Sequence, residues 1–247
     1  MSTYLLVHVA WHGGWYWGRV TPVLREAGHE VFTPTLTGLG ERAHLLSPEI
    51  DLETHIEDIL GVLKYEDLRE VILVGHSYAG IIITAIAGRA AERLAHLVYL
   101  DAFVPKDGES LTDIIGPAFM AVFRERVQAE GEGWRLPPLP LEDIGITDEK
   151  DLSWMRPKLV DQPFKTFSEP VRLGNHSASE ALPRTFVYCN DPAIGPYDRF
   201  AEMARMEGWR YREIATGHFP MVTAPRRTAD LLLGACLKTG SNLLTGC

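Results

Sequence analysis

Cysteine is scarce in this chain, with only Cys189, Cys236 and Cys247 among 247 residues. So small and odd a number builds no disulfide framework, and no Cys-x-x-Cys pair or histidine spacing suggests a metal site. Neither metal nor cofactor is expected. Positive charge is in deficit, with 24 Lys and Arg against 33 Asp and Glu and a formal charge of −9. Nucleic acids and anionic membranes reward clustered cations, so neither is expected as a partner. Long apolar runs are missing too. The first residues lead into Tyr4–Ala10 without a basic n-region, so neither a signal peptide nor a membrane span is expected, and a cytoplasmic location is. Gly13-Gly14 stands outside any Gly-x-Gly-x-x-Gly or Gly-Lys-Ser pattern, which argues against a phosphate-cradling loop. Repeats and low-complexity tracts are absent.

What remains is ordinary soluble-globular composition, 46% hydrophobic and 23% charged, in a chain long enough for one large core. A single domain over residues 1–247 is expected. Strand and helix signals alternate along its first half. Tyr4–Ala10 reads as a strand and Trp11–Trp15 as a loop. Trp17–Ala27 reads as a helix ended by Gly28, Glu30–Thr33 as a strand and Asp51–Tyr65 as an amphipathic helix. Val71–Val74 and His96–Leu100 are apolar strands. The rhythm stops from about Ala102 to Pro183, an aromatic- and proline-rich stretch expected to be an inserted cap. It resumes with a strand at Thr185–Cys189, a helix at Asp198–Glu207, a strand at Trp209–Ile214 and a helix at Arg226–Lys238, before a loose tail, Thr239–Cys247. Apolar strands alternating with helices predict an α/β fold with a mostly parallel sheet of about six strands, flanked by helices. In such a sheet the strand carboxyl ends share the edge where ligands bind.

One turn on that edge carries chemistry. Val71–Val74 runs into Gly75-His76-Ser77-Tyr78-Ala79-Gly80 and then an apolar helix, a strand–turn–helix that presents Ser77 as a nucleophile. Small residues are needed two before and two after the serine, and Gly75 and Ala79 stand there, alanine replacing the usual second glycine. A serine hydroxyl needs a base, and the base an orienting acid. His218, between the last strand and the last helix, is the expected base. Two aspartates qualify as the acid: Asp191, after the penultimate strand, and Asp101, at the end of the strand that follows the serine helix. Asp198 is a poorer third candidate. Backbone N–H groups of Ala10 and Tyr78 are the expected oxyanion donors. His76 is expected to pack beside the turn, His8 to shape the loop behind the site, and His12 at most to line the pocket. An apolar substrate is expected, bound by Trp11 and Phe219 of the core and by Phe119, Met120, Phe123 and Trp134 of the cap.

Together, Val7–Trp15, Gly28-His29-Glu30-Val31, Gly75–Gly80 and Gly217-His218 resemble the α/β-hydrolase superfamily. Within it they look like the group of bacterial carboxylesterases, plant methylesterases and plant hydroxynitrile lyases. Thr33–Gly38 and Leu100–Pro105 look like the bacterial esterase branch. The resemblance implies a cofactor-independent serine hydrolase with a helical cap, acting on a small-molecule ester and able to form a homodimer. Lyases of this group carry a threonine in the slot of Val9 and a lysine directly after the catalytic histidine, where this chain has Phe219. Plant members place the acid after the penultimate strand and a small or neutral residue where Asp101 stands. The expected activity is therefore that of a carboxylesterase. A lyase on the same residues and a non-catalytic small-molecule receptor on the same fold are the alternatives.

Overall fold

The computed structural model describes residues 1–235; the expected end of the last helix, the tail, Cys236 and Cys247 lie outside the described residues. Among the described residues eight strands occur in chain order: β1 (Thr3–Val7), β2 (Glu30–Phe32), β3 (Val71–His76), β4 (Leu94–Leu100), β5 (Arg135–Leu136), β6 (Gln162–Pro163), β7 (Arg184–Cys189) and β8 (Arg210–Ile214). Six form one sheet in the order β2-β1-β3-β4-β7-β8 with all neighbours parallel, as expected, while β5 and β6 pair antiparallel by themselves. The central strands read as apolar runs because helices cover both faces, and every residue of β3 is buried. At the edge, β8 has the sequence Arg-Tyr-Arg-Glu-Ile and leaves Arg212 and Glu213 in water.

From β1 the chain crosses to β2 on one side, then to β3 on the other, and on outward through β4, β7 and β8. The switch of direction opens a crevice past the carboxyl ends of β1 and β3. His8 to Trp11, Ser77 and Asp101 all follow strand ends on that edge.

Three helices frame the first half: α1 (Thr21–Glu26), α2 (Leu52–Tyr65) and α3 (Ala79–Arg89). The expected helix over Trp17–Ala27 is split into a 3-10 turn at Gly14–Trp17 and α1. Pro22 has no N–H to continue the ladder upstream, and the Thr21 hydroxyl instead donates to the Trp17 carbonyl at 3.0 Å. The start of α2 is fixed by a reciprocal cap, Thr54 N–H to Asp51 Oδ1 at 2.9 Å and Asp51 N–H to the Thr54 hydroxyl at 3.4 Å. Its apolar face buries Ile56, Ile59 and Leu63. Helix α3 is buried almost all round, which its Ala-Gly-Ile-Ile-Ile start allows. Between β4 and β7 the chain forms short helices and the β5–β6 pair, and its longest helix is Pro117–Glu130. Among the described residues no helix is long and apolar enough to cross a membrane.

Two helical glycines separate packing from propensity. A Cβ on Gly80 would sit 2.1 Å from the Phe103 carbonyl oxygen, whereas one on Gly61 would meet nothing within 4 Å. Replacing a helical glycine by alanine gains about 1 kcal/mol of propensity. Overpacking costs roughly 1–3 kcal/mol, and a backbone oxygen cannot step aside cheaply. Gly61→Ala should therefore raise the urea midpoint and Gly80→Ala lower it, read by equilibrium unfolding monitored by circular dichroism.

Candidate active site

The serine turn is built by close approach. Gly75 has no room for a side chain, since a Cβ there would lie 2.8 Å from the Ala79 carbonyl oxygen. Ser77 follows with φ +55°, a left-handed conformation that costs a non-glycine residue of order 1 kcal/mol or more and lifts the side chain off the strand. The turn is stapled to the end of β4: Ser77 N–H donates to the Leu100 carbonyl (3.3 Å), and the Ser77 carbonyl accepts from Phe103 N–H (3.2 Å).

That same strand end delivers Asp101. Its N–H donates to the Val187 carbonyl of β7 at 2.7 Å, and its carboxylate turns inward, 1% exposed. Oδ2 lies 2.6 Å from His218 Nδ1, and Oδ1 accepts from Cys189 N–H at 3.2 Å. Burial pushes the Asp101 carboxyl above the ordinary carboxylate range, while the His218 contact pulls it back. With Nδ1–H given to Asp101, His218 keeps the lone pair of Nε2 for an incoming proton.

Of the two candidate acids, the structure brings only Asp101 to His218. Asp191 is exposed, on a loop tied back by its own N–H to the Thr216 carbonyl at 3.0 Å. His218 Nδ1 carries a single N–H, and Asp101 already takes it. Asp198 is exposed at the start of the helix Asp198–Met206.

Several histidines do structural work around this pair. His76 Nε2–H donates to the His218 carbonyl at 2.8 Å, and its Nδ1 accepts from the Tyr16 hydroxyl at 2.7 Å. His76 thus fixes the loop carrying His218, more than packing beside the turn. His8 Nδ1–H donates to the Val9 carbonyl at 2.7 Å and its Nε2 accepts from Leu36 N–H at 3.0 Å. Val9 C=O and Ala10 N–H belong to one trans peptide, so holding the first aims the second the opposite way. His12 does not line the cavity; its Nδ1–H holds the Ala10 carbonyl at 2.7 Å from behind. Trp11 N–H is taken by Gln162 Oε1 at 3.0 Å. Among the described residues, no acceptor is recorded for the N–H of Ala10 or Tyr78.

A cavity of about 440 Å³ opens beside Ser77 and His218. Ala10, Tyr78, Trp11, Phe119, Phe123 and Phe219 line it. Trp134 does not: it is half-buried, with its ring near the Arg135 guanidinium. Met120 also lies away from the lining, although it is buried. Trp11 ties the end of β1 to the segment between β4 and β7, its Nε1–H donating to the Leu136 carbonyl of β5 at 2.9 Å. Sequence reasoning missed Phe103, Phe167 and above all Tyr197, which lines the cavity between serine and histidine. Gly195-Pro196-Tyr197 offers no motif, only a helix start.

The buried histidines make stability acid-sensitive. Burial lowers His8, His55 and His96 to about 4 and His12 to about 3, and it also takes His76 well below its ordinary 6.5. All are neutral when folded and take up protons when unfolded, so their contribution is complete above pH 6.5 and drains as pH falls toward 4. Each adds up to about 1.4 kcal/mol per pH unit in that window. Asp101, shifted upward, works with the opposite sign but is one group against several. The urea midpoint should fall steeply between pH 7 and pH 5; a flat profile would contradict neutral burial of these imidazoles.

Comparison with known proteins adds four findings. A sequence profile of the alpha/beta hydrolase family matches residues 4–231. A carbendazim hydrolyzing esterase of Nocardioides sp. (strain SG-4G) is 37% identical over 241 residues, covering 94% of this chain and 98% of that protein. An alpha-hydroxynitrile lyase of Arabidopsis thaliana is 34% identical over 103 residues, only 41% of this chain and 40% of the lyase. Among solved structures, an extracellular alpha/beta-hydrolase from a Paenibacillus species superposes with a TM-score of 0.82 at 23% identity, covering 95% of this chain and 99% of that one.

Proposed function

The chain belongs to the alpha/beta hydrolase family, and from that membership we propose that it is a serine carboxylesterase with Ser77 as nucleophile, His218 as base and Asp101 as the orienting acid. The observation that carries this reading is the buried contact of 2.6 Å between Asp101 and His218, set beside a serine in the left-handed conformation at the wall of one cavity. Ser77 Oγ attacks the ester carbonyl while its proton passes to His218, and the imidazolium so formed is paired with Asp101. The N–H groups of Ala10 and Tyr78 receive the oxyanion, a role worth about 3 kcal/mol per donor. His218 returns the proton to the departing alcohol, and water activated by His218 then releases the acid from Ser77.

The chain hydrolyses esters in the manner of its relatives. Its cavity walls narrow the choice to small, largely apolar substrates, with the segment 102–183 acting as a cap over the site. Carbendazim, which the Nocardioides relative hydrolyses, is a reasonable first substrate to offer. Cyanohydrin cleavage is disfavoured: Phe219 follows His218, Val9 lines the cavity, and no Lys or Arg among the described residues lines it to hold a departing cyanide.

The test is a set of three variants assayed on p-nitrophenyl esters of short acids. Ser77→Ala should abolish turnover. Asp101→Asn should lower kcat by roughly 10⁴, the usual loss when an orienting acid is replaced by its amide. Asp191→Asn should leave kcat almost unchanged. A severe loss at Asp191 with a mild one at Asp101 would reverse the assignment of the acid.

A further inference from the structure

The cavity beside Ser77 is walled mainly by apolar side chains, and Asp143 stands out among them. Among the described residues it is the only carboxylate that lines the cavity, and no Lys or Arg lines it. Asp143 lies on a tight turn, its N–H donating to the Pro140 carbonyl at 3.1 Å. Ile146 N–H closes the turn onto the Leu141 carbonyl at 2.9 Å, and both of these side chains are buried. The turn is thus pinned at its two ends. Gly145, with φ +91°, lets it pack on the loop before Tyr197, since a Cβ there would lie 2.7 Å from Ile194 Cδ1.

Neighbouring acids are already engaged. Glu142 pairs with Arg156, Asp151 pairs with Arg19, and Asp148 accepts from the N–H groups of Lys150 and Asp151. Asp143 makes no ion pair or side-chain hydrogen bond among the described residues. It is exposed, as are Phe119 and Val122, which line the same cavity, so these three mark its mouth. A cation held there keeps part of its hydration, and the pairing escapes the full penalty of burying a charge. Apolar walls of low dielectric carry the field of a lone acid inward.

We propose that Asp143 is a specificity-determining residue that selects esters carrying a positive charge at the cavity mouth and turns away esters carrying a negative one. The inference rests on the reading of Ser77 as nucleophile and of this cavity as the ester site. The substrate class so defined is a small ester with an apolar middle and a cationic end. Asp143 takes no part in bond making. Its discrimination combines attraction of one charge with repulsion of the other.

The experiment measures kcat/KM for three methyl esters of similar length: aminohexanoate, which is cationic, heptanoate, which is neutral, and monomethyl pimelate, which is anionic. A second set puts the charge on the alcohol side, acetylcholine against the neutral dimethylbutyl acetate. The proteins are the wild type, Asp143→Asn, Asp143→Lys and Ser77→Ala. The readout is a ratio of rates within one protein, which cancels any general loss of activity. It is cationic over anionic in the first set and cationic over neutral in the second. In at least one set Asp143→Asn should lower the ratio about tenfold, the combined effect of one attraction and one repulsion near water. Asp143→Lys should lower it further, and about 1 M sodium chloride should erode the wild-type ratio. Equal ratios in the wild type and Asp143→Asn in both sets overturn the selection. So does a ratio that drops in Asp143→Asn but no further in Asp143→Lys, which would mark a distorted turn and not a charge. Absence of turnover of the neutral esters, or turnover surviving in Ser77→Ala, brings down the hydrolase reading and the selection with it. Unaltered ratios in an enzyme that Ser77→Ala silences remove the selection alone.

Discussion

A carboxylate with 1% of its surface in water must be paired or it costs several kcal/mol, and Asp101 is paired twice. Its partners come from two distant parts of the chain: Cys189 N–H at the end of β7, and His218 Nδ1–H after β8. Satisfying it requires β4, β7 and β8 to lie side by side with their carboxyl ends level, which is the order the sheet adopts. The serine turn is hydrogen-bonded to the same strand end, so Ser77 and Asp101 share one rigid support. A shift of β4 against β7 would cost both the burial of Asp101 and the aim of His218.

Around this pair the chain keeps its imidazoles neutral. His76 holds the carbonyl of His218, His8 holds the peptide whose other end is Ala10 N–H, and His12 holds the next carbonyl. Each bond requires one nitrogen to donate, and His8 and His76 also use the other as an acceptor, so a second proton there would break the network. Burial enforces that state. These bonds fix the peptides on either side of Ala10 and the backbone of His218 in one orientation.

Trp11 couples this interior to the segment between β4 and β7. Its N–H, carbonyl and indole N–H are all engaged by the segment between residues 136 and 162, and its ring lines the cavity. The loop after β1 therefore lines the cavity and ties that segment to the sheet at the same time. Phe219 lines the same cavity.

Much of this was legible in the residues themselves. Apolar strands alternating with helices are local patterns and gave the parallel sheet. Gly-x-Ser-x-Ala after a strand, and a histidine just past the last strand, are local too, so Ser77 and His218 stood out. Sequence could not choose between Asp101 and Asp191, because both follow a strand on the correct edge. Only the tertiary structure separates them, by burying one against His218 Nδ1 and leaving the other in water. The same holds for Trp134, whose aromatic character says nothing about which way a cap loop turns, and for Tyr197, which has no motif to mark it. Local spacing determines where a strand ends and what stands there. Which side chains then meet depends on loops whose course is decided by packing between segments more than a hundred residues apart.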